Sequence, residues 1–262
     1  MSSPTIVLVT GANQGIGFAV AKQLCDHDNY HILLGSRNAE RGAKAATEID
    51  PSGTRVEPVT IDVADDASIQ SAAEYVAKKY GHLDVLVNNA GVNNELALFW
   101  KHQNSRNQEP SSLLELRQLY RDAYEVNLFG AAITTEAFTP LLEKSVAHPA
   151  RIVFVSSHTG SLSLRTDPST EFYAKMKTPS FPIYRSSKSA LNLLMLHYAA
   201  KFQDRGWKVN GSCPNLTNTG FSGNSGIGRP ASESAVNIVR LATLSSDGEH
   251  GVYSDENGIV PW

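Results

Sequence analysis

The sequence predicts an α/β protein built on a doubly wound, seven-stranded parallel sheet with helices on both faces. Three observations carry that expectation. Short β-branched runs alternate with longer helix-like stretches from the start of the chain, which is the pattern of parallel strands joined by crossover helices. The runs Val85-Leu86-Val87 and Ile152-Val153-Phe154-Val155 are apolar at every position, as expected of central strands covered on both pleat faces. A glycine cluster, Gly11, Gly15 and Gly17, separates the first apolar run from a helical pattern, which marks a tight strand-to-helix turn.

Taken in order, strands are expected at 5–9, 31–34, 55–60, 83–88, 151–156, 208–212 and 251–254. Together with the helices between them they use most of the chain. A single domain over residues 1–262 is therefore expected, although roughly 100–200 residues per domain would leave room for two. Two stretches break the rhythm. Residues 92–112 contain Asn93-Asn94, Phe99-Trp100 and a polar run ending at Pro110, and residues 161–182 contain Pro168, Pro179 and Pro182 with Phe172, Tyr173 and Phe181. Long connections in compact domains commonly serve as functional lids, and their aromatics suit the walls of an apolar pocket.

Composition excludes several function classes. Hydrophobic residues make up 41% and charged residues 19%, so disorder, collagen-like repeats and coiled coil are ruled out. Lys and Arg total 23 against 26 Asp and Glu, a net charge of −3 with no long run of one sign, which argues against a nucleic-acid partner. Cys25 and Cys213 lie in apolar-patterned segments and read as buried free thiols in a reducing compartment. Met1-Ser2-Ser3-Pro4 leads straight into the first apolar run, with no basic n-region and too few apolar residues to cross a bilayer. A cytoplasmic protein without membrane or metal partners is the expectation.

The glycine loop reads Thr10-Gly11-Ala12-Asn13-Gln14-Gly15-Ile16-Gly17 and runs into the helical pattern Phe18 to Leu24. A helix N-terminus behind such a turn presents free N–H groups and a positive dipole end to a pyrophosphate. This predicts a dinucleotide-binding loop of the Rossmann type, in the G-x-x-x-G-x-G subclass. The second strand selects the nucleotide, because a carboxylate at its end holds a ribose 2′-hydroxyl whereas an arginine accommodates a 2′-phosphate. Here the chain reads Leu33-Leu34-Gly35-Ser36-Arg37-Asn38, with no carboxylate. NADP(H) is therefore expected. Asp62, in Thr60-Ile61-Asp62-Val63, is placed to accept a hydrogen bond from an adenine amino group, and capping the next helix is a compatible second role.

The reacting groups come from two later segments. Tyr184 and Lys188 are four apart at the start of a pattern that continues through Leu191, Leu194, Met195, Tyr198 and Phe202, so they share one face of a helix. An ammonium close to a phenol favours the phenolate, so Lys188 is expected to lower the Tyr184 pKa and form an acid/base pair with it. Ser157 follows the fifth strand, at the edge where open α/β sheets bind ligands, and can hydrogen-bond a carbonyl or a developing alkoxide. His158 beside it raises a Ser-His hydrolase as an alternative, but no G-x-S-x-G elbow occurs in the chain.

These motifs, in this order, resemble the short-chain dehydrogenase/reductase family over nearly the whole chain. Thr10 to Gly17 resembles its cofactor loop, Asn88-Asn89-Ala90-Gly91 the motif after its fourth strand, and Tyr184 with Lys188 its active-site pair. The resemblance implies a catalytic tetrad. In it Asn127 supports Lys188 through water, Ser157 orients the carbonyl, Tyr184 transfers the proton and Lys188 holds the nicotinamide ribose. The S-x-x-G spacing to Gly160 selects Ser157 over Ser156. Cofactor contacts are implied for Gly11, Asn13, Gln14, Gly15, Ile16, Gly17, Arg37, Asn38, Asp62, Val63, Asn89, Ala90, Gly91, Tyr184, Lys188, Pro214, Asn215 and Thr219.

Within the family, Asn13, Arg37-Asn38, the extended segment before Tyr184 and the closing Gly251 to Ser254 with Trp262 look most like the carbonyl-reductase branch. That implies NADPH, a bulky apolar carbonyl substrate and a monomer, with dimers or tetramers as the alternative. Two residues depart from the pattern. Gln14 stands where many NADPH-using members carry a second basic residue, and Pro214-Asn215 replaces Pro-Gly, although asparagine tolerates left-handed backbone. The expected activity is reduction of a ketone or aldehyde with Tyr184 as proton donor. The alternatives are a biosynthetic member that reduces an iminium or guides a cyclisation, and a non-catalytic NADP(H)-binding module.

Overall fold

The apolar runs become strands buried on both faces, and their alternation divides the core in two. The computed structural model describes residues 3–96, 112–170, 173, 181–223, 226 and 228–262. In chain order the elements are β1 (Thr5–Val9), α1 (Gly15–Cys25), β2 (Tyr30–Ser36), α2 (Ala39–Ile49), β3 (Val56–Thr60), α3 (Asp66–Lys79) and β4 (Val85–Asn88). There follow α4 (Leu113–Tyr124), a π turn (Glu125–Phe129), α5 (Gly130–Leu142), β5 (Arg151–Val155), α6 (Leu162–Thr166) and α7 (Pro182–Phe202). The chain closes with β6 (Lys208–Ser212), α8 (Ala231–Ala242), β7 (Tyr253–Asp255) and β8 (Gly258–Ile259).

The sheet order is β3-β2-β1-β4-β5-β6-β7-β8. The first seven strands run parallel, and β8 pairs antiparallel with β7. The expected seven parallel strands are all present, within two residues of their expected ends. The eighth is a correction to the seven-stranded expectation. At two residues, with Ile259 80% exposed, it carries no periodicity to read.

Val7, Val9, Ile32, Leu34, Val85, Val87, Val153 and Val155 face a cluster built with α1, α2 and α8. Ile6, Leu8, Leu33, Leu86, Ile152, Phe154 and Val209 face the other cluster, built with α3, α5 and α7. Each such side chain contributes about 1.5–3 kcal/mol when fully buried. Cys25 and Cys213 are buried free thiols, as expected. No helix among the described residues is long and apolar enough to cross a membrane.

Strand order reverses between β1 and β4, because the chain first winds outward through β2 and β3 and then restarts on the other side of β1. Open α/β sheets bind ligands at the carboxyl ends of the strands beside such a switch point. Much of the segment 92–112 falls outside the described residues, Phe99 and Trp100 included, as does Phe172 in the segment 161–182. The described start of the second segment is α6, whose N-cap Ser161 accepts from the Leu164 N–H at 3.0 Å.

Candidate active site

A cavity of about 960 Å³ opens where the switch point places it, lined from the β1–α1 turn at one end to α7 and the loop after β6 at the other. The β1–α1 turn is stitched to the turn after β4. Thr10 Oγ1 accepts from the main-chain N–H groups of Asn89 and Ala90, both at 3.0 Å, and Asn89 Nδ2 donates to the Thr10 carbonyl at 2.8 Å. Gly17 allows this contact, since a Cβ there would stand 2.5 Å from Asn89 Nδ2 and 2.6 Å from the Gly11 carbonyl oxygen. Gln14, the N-cap of α1, is extended and makes no side-chain cap bond. The first turn of α1 therefore offers its N–H groups to the cavity, where Gly15, Ile16 and Gly17 form the wall.

Most of the expected cofactor residues meet in this one cavity. Gly11, Asn13, Gln14, Gly15, Ile16, Gly17, Arg37, Asp62, Val63, Asn89, Ala90, Gly91, Pro214, Asn215 and Thr219 all line it. Asn38 stands next to the lining residue Arg37, and its side chain caps α2 by accepting from the Arg41 N–H at 2.8 Å. Asp62 lines the cavity while its Oδ1 accepts from Ala64 N–H at 3.0 Å; the cap of α3 is Asp65. Asn215 takes the left-handed conformation at φ 60°, as a glycine would, and its amide reaches Glu256 at 3.0 Å. The replaced glycine thus leaves the turn intact.

Ser157, Tyr184 and Lys188 converge on the same cavity. Tyr184 sits in the first turn of α7 and Lys188 one turn on, with its Nζ 5.8 Å from the Tyr184 ring centre and donating to the Val155 carbonyl at 2.9 Å. Ser157 approaches from the turn after β5, where Gly160 lets α7 pack closely. A Cβ at Gly160 would stand 2.7 Å from the Lys188 carbonyl carbon, so the S-x-x-G spacing reflects helix packing against the serine turn. Ser156 also borders the cavity, but it is buried and its hydroxyl is committed to Asn192.

Burial governs both ionisable groups. It raises the Tyr184 phenol well above its ordinary range, and the hydrogen bond with Ser157 pulls the other way. It lowers the Lys188 ammonium to about 8. The expectation that Lys188 depresses the Tyr184 pKa is thus corrected, because desolvation outweighs any attraction between the two in this enclosed site.

Asn127 lies behind the cavity in the π turn, a feature frequent at functional sites. Its Nδ2 donates to the Val92 carbonyl and to Ser187 Oγ, both at 2.9 Å, and its Oδ1 accepts from Val92 N–H at 2.8 Å. These bonds brace the loop after β4 against α7, and among the described residues the Asn127 side chain makes no direct bond to Lys188. Of the aromatics expected to wall the pocket, Phe181 lines it and Tyr173 does not.

Sequence reasoning passed over Phe221, Leu216 and Arg229. Phe221 packs edge-on against Tyr184 at 5.7 Å between ring centres. A lone phenylalanine in a stretch of Gly, Ser and Asn was the available signal. His158, next to Ser157, also lines the cavity, with its Nε2 3.2 Å from Asp255.

The switch-point cavity and its helix N-terminus define the class: a doubly wound α/β protein with a site of the nucleotide-binding kind. Comparison with known proteins narrows it, for the chain matches the short chain dehydrogenase family over residues 5–229. It is 38% identical over 258 residues to the short-chain dehydrogenase anuI of Penicillium roqueforti, covering 97% of this chain and 96% of that protein. The structure of salutaridine reductase from Papaver somniferum superposes with a TM-score of 0.74 at 29% identity, over 95% of this chain and 99% of that one. An NADPH-bound carbonyl reductase from chicken fatty liver shares the fold at TM-score 0.78 and 23% identity, over 100% of both chains. The protein belongs to the short chain dehydrogenase family.

Proposed function

We propose that the protein is an NADPH-dependent carbonyl reductase acting on a bulky, largely apolar ketone or aldehyde. One observation carries this reading: Ser157, Tyr184 and Lys188 meet in a cavity that runs on to the open N-terminus of α1 and to Arg37. The residues fit a dinucleotide diphosphate, which the uncapped first turn of α1 suits. Gly15, Ile16 and Gly17 would hold the diphosphate, Asp62 the adenine, Arg37 the 2′-phosphate, Lys188 the nicotinamide ribose and Thr219 the carboxamide.

A bound nicotinamide supplies the hydride. Ser157 donates a hydrogen bond to the substrate oxygen, and this bond strengthens as negative charge develops there. Tyr184 gives its phenolic proton to that oxygen, which completes the alcohol. Its raised pKa keeps the proton in place until charge builds on the substrate. Phe181, Leu96, Leu216 and Phe221 supply the apolar wall around the carbonyl's substituents.

Purified protein, NADPH and a panel of bulky ketones and aldehydes test the reading through loss of nicotinamide absorbance. Robust turnover is expected, and its absence across the panel would overturn it. Arg37→Ala should raise the KM for NADPH about 10- to 100-fold, the loss of one or two charge-assisted hydrogen bonds. The KM for NADH should hardly move. Initial rates with both cofactors decide, and an equal effect on the two would remove Arg37 as the 2′-phosphate contact.

A further inference from the structure

We propose that Glu95 is a positioning residue for Tyr184, acting as a remote cap on the first turn of α7. The inference rests on the reading of Tyr184 as proton donor. It begins from a defect in the helix start. The first N–H groups of any helix lack partners within it and need an acceptor. Phe181, the N-cap of α7, has no acceptor in its side chain, and its backbone is left-handed at φ 58°. The first turn of α7, on which Tyr184 stands, therefore takes no cap from the Phe181 side chain.

Glu95 closes it from 89 positions away. Its Oε2 accepts from the Tyr184 N–H at 2.9 Å, and the carboxylate also accepts from the Ile183 N–H. A carboxylate at this end of the helix is further favoured by the dipole. The other side of Tyr184 is held as well. Ser187 Oγ donates to the Tyr184 carbonyl at 2.7 Å and accepts from Asn127 Nδ2 at 2.9 Å. Asn127 in turn grips Val92 through two bonds. Val92 and Glu95 belong to one short segment, turned by the Asn93 Oδ1 bond to Leu96 N–H at 3.0 Å. A closed circuit results, running from Tyr184 through Glu95, Val92, Asn127 and Ser187 back to Tyr184.

The consequence concerns substrate. Asn93, Asn94 and Leu96 line the cavity on either side of Glu95. Whatever seats that segment also seats the cap, so the position of the phenol follows the position of the loop. A substrate that packs against Leu96 thus orders its own proton donor.

The test compares Glu95→Ala and Glu95→Gln in the full-length protein. Glu95→Ala should lower kcat on the order of tenfold, the worth of a helix cap, and leave NADPH affinity unchanged by fluorescence titration. Amide exchange at Ile183 and Tyr184 should accelerate by a similar factor, while exchange at Leu191 to Ala199 stays at the parental rate. Glu95→Gln, which keeps an oxygen acceptor, should recover most of both losses. Parental kcat in Glu95→Ala, unchanged exchange at Ile183 and Tyr184, or no recovery in Glu95→Gln would each overturn the proposal. If the parent itself reduces no carbonyl, the proposed function fails, and the exchange data alone decide whether Glu95 is the cap.

Discussion

Tyr184→Phe should lower kcat by about 100- to 10,000-fold, the range for removing a positioned general acid, while the protein stays folded and binds NADPH with parental affinity. The phenol oxygen is the only group deleted. Its ring contacts with Phe221 and beneath Lys188 persist in phenylalanine, so a large loss reports proton transfer rather than packing. Turnover as fast as the parent would remove Tyr184 from the mechanism. The pH profile gives a second measurement on the same group. In the proposed mechanism the charged form of Lys188 holds the ribose, and burial brings its pKa down to about 8. A cation is lost as pH rises through its pKa. The kcat/KM for reduction, which reports the free enzyme, should therefore fall above about pH 8. A profile flat to pH 10 would contradict a charged Lys188 in binding.

Asp84→Ala should be the most destabilising single change outside the cavity. Asp84 is 0% exposed, just before β4, and its carboxylate gathers the ends of three segments. Oδ2 accepts from Ile6 N–H at 2.7 Å, and Oδ1 from Ser145 Oγ, Val146 N–H and Ala147 N–H at 2.7, 2.8 and 2.9 Å. Removing the acceptor strands those donors in the core. Breaking such a buried charged network costs about 3–5 kcal/mol, which lowers Tm on the order of 10 °C for a domain of this size. Asp84→Asn should fall between parent and alanine, because its amide nitrogen would face one set of donors with another. Thermal unfolding followed by circular dichroism decides, and an unchanged Tm in the alanine variant would contradict the assignment.

Much of the fold was legible because its signals are local. Seven strands announce themselves by apolar runs, and the cofactor loop by glycines next to a helix start. Ser157, Tyr184 and Lys188 could also be read, since the spacing within each segment fixes the face it presents. What escaped notice depends on partners far along the chain. Asp84 and Glu95 look like ordinary acidic residues until Ser145 and Tyr184 are brought beside them. Asn38 has a local role that its spacing also carries: a position beside a helix start serves the helix, and here the Arg41 N–H takes the side chain. The direction of the Tyr184 pKa was also beyond the sequence, because proximity to Lys188 is a matter of spacing whereas desolvation is a matter of enclosure.

The π turn at Glu125–Phe129 has one more consequence. It packs an extra residue into the winding between α4 and α5, and each residue of an α-helix advances it by about 100°. The two helices are therefore out of rotational phase, and a single wheel drawn from 113 to 142 would assign the wrong inner face to one of them. Deleting one residue there would restore even winding. It would also swing Asn127 off Val92 and Ser187, so the spare residue is a spacer that keeps two helical faces independently aimed.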